Sequence, residues 1–195
     1  SGKDIPQSYA MAIARQESAW NPKVRSPVGA SGLMQIMPGT AAHLGLPMSM
    51  IHEPEANVAA AARYMAELQG HFADVGDPSQ RMLFALASYN GGYFHIRDAM
   101  ALARKHGQNP HNWGVIRDYI LRLSQPAYYT DPVVKYGYMR GTETVNYVDR
   151  IRARWGEYSG GSGFHESFRG SSMGSGSFHG APVKSKRHYQ NKYHI

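Results

Sequence analysis

The chain has 195 residues, 42% of them hydrophobic, a formal net charge of +7 and no cysteine. That length suits one domain with or without a tail, and no apolar run approaches the ~20 residues of a membrane span. The lack of cysteine excludes disulfides and thiol chemistry but leaves the compartment open. Residues 159–195 hold five Lys or Arg against the single acid Glu166, a net +4, and residues 1–158 carry the remaining +3. A basic tail favours an anionic partner such as a cell-wall polymer, a lipid surface or nucleic acid. The opening Ser1-Gly2-Lys3-Asp4 is expected to be a processed or trimmed end.

The body, 1–158, reads as helical throughout. Pro6–Ser18 places Tyr9, Ala12, Ile13 and Ala14 close to one face, with Asp4 as the expected N-cap and the helix ending near Trp20 before Pro22. Pro38 is expected to open a short helix reaching Leu44. Pro54–Phe72 carries Val58, Ala61, Ala62, Met65, Leu68 and Phe72 at helical spacing. Ser79–Tyr89 aligns Met82, Ala85, Leu86 and Tyr89. Tyr93–His106 aligns Ile96, Ala99, Met100 and Ala103, with Gly107 as a C-terminal cap. Asn112–Leu123 and Glu143–Tyr158 complete the set, the last with Tyr147, Val148, Ile151 and Trp155 on one face. No alternating strand pattern occurs. The expected class is all-α, a compact orthogonal helical bundle.

Residues 124–142, with four tyrosines, break the rhythm and predict an ordered aromatic loop, either a cover for the core or a functional element. From Ser159 onward the composition changes. Gly and Ser supply 7 and 8 of 37 residues and Leu is absent, so a disordered or irregular C-terminal tail is expected. Its His165, His179, His188 and His194 lack a metal-ligand spacing, and no metal or cofactor is expected anywhere in the chain.

The chemistry concentrates in residues 12–40. Glu17 stands near the end of an apolar helix, and Gly29 and Gly32 follow it, permitting positive φ or close backbone approach. Ser26, Ser31 and Gln35 lie within the same short stretch and can converge on a sugar. Met34, Ile36 and Met37 are too apolar for an exposed loop. The loop is therefore expected to pack down on the core and exclude water from part of Glu17.

Four segments in order sharpen this. They are Glu17-Ser18 with Asn21-Pro22, then Gly32-Leu33-Met34-Gln35, then Ala87-Ser88-Tyr89-Asn90-Gly91-Gly92, and finally Glu143-Thr144-Val145-Asn146-Tyr147-Val148. The ordered set, spanning about residues 6–155, resembles the catalytic domain of lytic transglycosylases, which share a lysozyme-like fold with goose-type lysozyme. The stretch around Lys135-Tyr136-Gly137-Tyr138-Met139-Arg140-Gly141 resembles the membrane-bound F type most closely. The resemblance implies cleavage of the bond between N-acetylmuramic acid and N-acetylglucosamine in peptidoglycan, with closure of a 1,6-anhydro ring. It makes Glu17 the single catalytic acid and base. Ser26 and Tyr89 become hydrogen-bonding partners of the N-acetyl group or of the developing charge, Gln35 and Met37 groove residues, Asn90 a neighbour of Tyr89, and Tyr147 a neighbour of Glu17. Packing alone would also account for Met37 and Tyr147, and a helix-terminal role for Asn90. The implied setting is the cell envelope, on the periplasmic side and associated with the outer membrane in a longer protein, with the protein acting as a monomer.

Two departures limit the transfer. Gly92-Tyr93-Phe94 stands where many relatives have Gly-Pro-Gly, so a bulkier cleft wall is expected there. Ile120–Ser124 lacks the acid that some relatives carry in a Glu-Ser-Ile-Pro segment. The competing readings are a hydrolytic muramidase on the same fold, a non-catalytic wall-binding module, and a nucleic-acid binder driven by the tail. The body holds no nucleic-acid reader motif, which sets the last aside.

Overall fold

The computed structural model describes residues 5–159. Among them are eight α-helices: α1 Gln7–Ser18, α2 Pro38–His43, α3 Pro54–His71, α4 Pro78–Gly91, α5 Tyr93–Lys105, α6 Trp113–Arg122, α7 Pro126–Tyr129 and α8 Gly141–Tyr158, with a 3-10 turn at Met48–Met50 between α2 and α3. The described residues contain no strand, only two isolated antiparallel bridges, Arg25 with Ser31 and Ser31 with Ile36. The all-α expectation holds, and no described helix is long and apolar enough to cross a membrane.

Helix α4 is the centre of the bundle. Every residue from Met82 to Tyr89 is buried, as befits a helix apolar on all sides. It is enclosed by α3, α5 and α8, while α1 lies along α8 and α6 links α5 to α8. Phe72, Phe84, Ile13, Met65, Leu86 and Ile120 are among the largest fully buried side chains. Rings meet at defined angles inside this core: Phe72 is edge-on to Phe84 at 5.4 Å, and Phe84 to Trp113 at 6.1 Å.

Local chemistry sets the helix ends. Asp77 caps α4 by accepting from the Ser79 amide at 2.8 Å, with Pro78 at the first helical position. Asn112 caps α6 through the Val115 amide at 3.1 Å. Gly107, with φ +69°, follows the His106 end of α5. Arg104 and Lys105 lie in the last turn of α5, where cations favour the exposed carbonyls.

Four expectations need correction. The residue that caps α1 is Pro6, with no side-chain hydrogen bond; Asp4 lies outside the described residues. Helix α1 ends at Ser18 and not near Trp20, because Ala19 and Trp20 both take left-handed backbone, with φ of 50° and 62°. On α3 the buried face is centred on Asn57, Ala60, Ala61, Tyr64, Met65 and Leu68, while Val58 and Ala62 are only half-buried. The 124–142 loop contains one helical turn, α7, opened by Pro126. The tail and its four histidines lie outside the described residues, apart from Ser159, which ends α8.

Candidate active site

Glu17 sits in the last turn of α1, half-buried, on a helix anchored by the fully buried Ala12 and Ile13. The Ser18 hydroxyl donates to the Ala14 carbonyl at 3.0 Å and closes that turn. The buried Tyr147 of α8 donates its hydroxyl to Glu17 Oε1 at 2.9 Å. The two residues are 130 positions apart in sequence, and the packing of α8 along α1 brings them together.

The left-handed pair Ala19 and Trp20 turns the chain out of α1 and into the loop that follows. The loop is internally bonded. The Ser26 amide donates to the Ala30 carbonyl at 2.8 Å, and the Ala30 amide donates to Ser26 Oγ at 3.0 Å. Ser31 and Ile36 exchange two backbone bonds of 3.0 Å each. Gly32 has φ +81°, and a Cβ there would collide with the Asn57 amide and the Ile51 carbonyl. Only glycine fits that position.

Asn57, fully buried on α3, holds the loop from below. Its Nδ2 donates to the Ser31 carbonyl at 3.2 Å and the Ile51 carbonyl at 2.7 Å, and its Oδ1 accepts from the Met34 amide at 2.8 Å. From the other side the Tyr89 hydroxyl donates to the Met34 carbonyl at 2.7 Å. The two peptide groups of Met34 are thereby fixed from α3 and from α4. The next residue, Gln35, takes φ 48°, a left-handed conformation a non-glycine residue adopts only when its surroundings impose it. Its side-chain amide donates to the Val24 and Gly32 carbonyls at 3.1 and 3.0 Å.

Gln35, Ile36, Met37, Thr40, Tyr64 and Tyr89 line a small pocket beside the loop. Three of the sequence-derived candidates, Gln35, Met37 and Tyr89, therefore share one pocket wall. Gln35 is 6% exposed and both its amide bonds serve the loop, so its side chain shapes the wall and does not reach out as a free polar arm. Ser26 is half-buried; its oxygen holds the Ala30 amide. Asn90, at the C-terminal end of α4, accepts from Thr144 Oγ1 of α8 at 2.9 Å. Gly91 beside it leaves room for the Met139 and Thr144 side chains.

Asn57, Thr144 and Asp98 belong to this frame and were missed in the sequence. For Asn57 the signal existed: one amide within an otherwise apolar and small helical face. Asp98, 3% exposed on α5, accepts from the Lys135 and Tyr136 amides at 3.0 and 2.9 Å and ties down the aromatic loop. His95, one turn earlier, is pushed below the ordinary histidine range by burial, with Asp98 pulling partly the other way. Among the described residues no three His, Asp or Glu side chains gather as metal ligands would.

Comparison with known proteins identifies the family and the fold. The family model described as "Transglycosylase SLT domain" matches residues 1–112. The chain is 40% identical over 149 residues to the membrane-bound lytic murein transglycosylase F of Shewanella loihica, covering 76% of this chain and 30% of that protein. It is 41% identical over 140 residues to the corresponding protein of Desulfosudis oleivorans, covering 72% and 30%. The chain thus spans about 30% of the length of these curated relatives. Among solved structures, the 70 kDa soluble lytic transglycosylase of Escherichia coli superposes with a TM-score of 0.56 at 34% identity, over 82% of this chain and 23% of that one. A complex of the 70 kDa soluble lytic transglycosylase with bulgecin A gives 0.58 at 36% identity, over 84% and 23%. The helical bundle is therefore the lysozyme-like one expected, and the chain belongs to the transglycosylase SLT domain family.

Proposed function

We propose that this chain is the catalytic unit of a peptidoglycan lytic transglycosylase. The reaction cleaves the β-1,4 bond between N-acetylmuramic acid and N-acetylglucosamine and leaves a 1,6-anhydro end. The observation that carries the reading is the half-buried carboxylate of Glu17, oriented by the buried Tyr147 hydroxyl and followed in the chain by the braced loop.

The protonated Glu17 gives its proton to the glycosidic oxygen as the C1–O bond breaks. The carboxylate left behind takes the proton of the muramoyl C6 hydroxyl, whose oxygen attacks C1 and closes the ring. Glu17 ends protonated again, and no water is consumed. A nucleophile tethered to the same sugar has an effective concentration on the order of 10⁵–10⁸ M, so no second carboxylate is needed to hold a water. The substrate's N-acetyl carbonyl assists at C1. Ser26 keeps a hydroxyl proton to offer that group, since its oxygen serves only as acceptor for Ala30. Tyr89 donates its hydroxyl to the Met34 carbonyl and stands in the pocket wall it shares with Gln35 and Met37, where it is the second partner for the N-acetyl group. Met37 and Gln35 supply the groove wall, and Asn90 positions the end of α4 next to Tyr89.

The same reading places the protein in the cell envelope, facing the periplasm, as a monomer engaging glycan strands. The 159–195 segment, with its +4 charge, serves as a separate holding element for anionic wall or membrane surfaces. The test is digestion of purified sacculi with mass analysis of the products. Anhydro-ended muropeptides, each lighter by one water than the hydrolytic product, are expected. Hydrated ends alone would make the chain a muramidase.

A further inference from the structure

The aromatic loop is built differently from a cover. Tyr136 stacks on Phe94 with ring centres 4.6 Å apart and planes 18° off parallel, yet it is 43% exposed. Tyr138 is 55% exposed and lies edge-on to Tyr129 at 5.8 Å. A covering loop would turn such rings inward, where each would remove a large apolar area from water. Here the rings are held outward on a fixed backbone. The buried carboxylate of Asp98 takes the amides of both Lys135 and Tyr136. The Met139 amide is bonded to the Leu123 carbonyl at 3.1 Å, and Lys105 pairs with Asp131 at 2.6 Å. Spending a buried carboxylate on two loop amides rigidifies the place where the rings project.

The platform is continuous with the candidate site. Met139 packs over Gly91 beside the Thr144–Asn90 bond, and Phe94 is the second residue of α5, whose N-cap is Gly92. The bulk of Tyr93-Phe94 therefore becomes a foundation. Tyr93 turns to Phe72 at 5.3 Å and to Arg97, while Phe94 carries Tyr136. A pyranose ring presents a flat face of C–H groups, and a preorganised aromatic face in water is its natural complement. We propose that Tyr136 and Tyr138 form an outer subsite that stacks a sugar of the glycan strand beyond the pair being cleaved, and that Asp98 is its positioning residue. This rests on the glycan-cleaving reading above.

The test uses the full chain and peptide-free glycan strands graded by length. Binding is measured by calorimetry on a Glu17→Gln background, where nothing is cut, and KM on the otherwise unsubstituted chain. Affinity should rise with strand length in the parent. Tyr136→Ala should remove that rise, weakening long strands by about three- to tenfold, the range expected for one aromatic contact. Tyr136→Phe should restore it, because the ring and not the hydroxyl is used. Asp98→Asn should weaken long strands more than short ones, raising KM ahead of any change in kcat. Cleavage of sacculi with affinities indifferent to Tyr136→Ala would overturn the subsite and leave the reaction standing. Tyr136-dependent binding by a chain that cuts nothing would do the reverse. A Tyr136 effect seen only with strands still bearing stem peptides would overturn the sugar assignment in favour of a peptide contact.

Discussion

The Tyr147 hydroxyl reaches Glu17 Oε1 at 2.9 Å, so the end of α1 and the middle of α8 meet on one carboxylate oxygen. Tyr147 is 2% exposed, and its ring is fixed by the core before any substrate arrives. The hydrogen bond therefore selects one orientation of a carboxyl that would otherwise rotate.

Replacing Glu17 by Gln keeps the shape and removes the ability to cycle a proton. Activity on sacculi should fall by at least the roughly 10²–10⁴-fold that general acid–base catalysis supplies. The thermal midpoint should stay near that of the parent, since Glu17 is only half-buried. A folded Gln variant that turns over at the parent rate would refute the role.

Tyr147→Phe removes only the hydroxyl. A hydrogen bond to a charged group is worth about 1.5–3 kcal/mol, so kcat should drop roughly ten- to a hundredfold. The ring remains to fill the core, so unfolding in denaturant should change little. A large loss of stability with no loss of kcat would make Tyr147 a packing residue.

Asn57→Ala strips the Met34 amide and the Ser31 and Ile51 carbonyls of their side-chain partner at once. Each buried group left unsatisfied costs about 1–3 kcal/mol, so the variant should unfold at markedly lower denaturant. Asn57→Asp should restore less than the parent stability, because it keeps the acceptor for Met34 but loses the donor for the two carbonyls. Equal stability of all three chains would mean the loop is held elsewhere.

Much of this frame was legible in the sequence because helices advertise themselves by periodicity. The α5 stripe of Ile96, Ala99, Met100 and Ala103 is buried in full. Glu17 was legible from its helix end and the glycine-bearing loop after it, but its link to Tyr147 was readable only through the ordered resemblance, since no spacing rule links residues 130 apart. The bonds that brace the loop were out of reach. Tyr89 donating to Met34, and Asp98 accepting from Lys135 and Tyr136, depend on how helices dock. The exit of α1 was misplaced because left-handed Ala19 and Trp20 defy local preference, and tertiary context imposes them.

Truncation after Ser159 should leave the bundle intact, since the described core closes with α8 and every residue drawn into the site precedes Ser159. Turnover on short soluble glycan fragments should persist, while retention on sacculi should fall, most visibly at low salt where the +4 of the missing segment is least screened. Unfolding of the truncated chain would make the segment structural.

His95 gives stability a dependence on pH. Burial pushes its imidazole below the ordinary value of 6.5, Asp98 offsets part of this, and Nδ1 has no hydrogen-bond partner among the described residues. Between the lowered folded value and 6.5 the unfolded chain binds more protons than the folded one. Stability therefore rises with pH across that window. The contribution is complete above the unfolded value and drains away as pH falls toward the folded one. Asp74 and Asp131, whose carboxyls are held low first by their hydrogen bonds from Arg97 and Lys105, act only at and below the usual carboxylate value of 3.8, so the two windows separate. The denaturant midpoint should decline from neutral pH into the mildly acidic range, and His95→Gln should flatten that decline while leaving the more acidic loss in place. An identical pH profile in parent and variant would show that His95 is not the group being titrated.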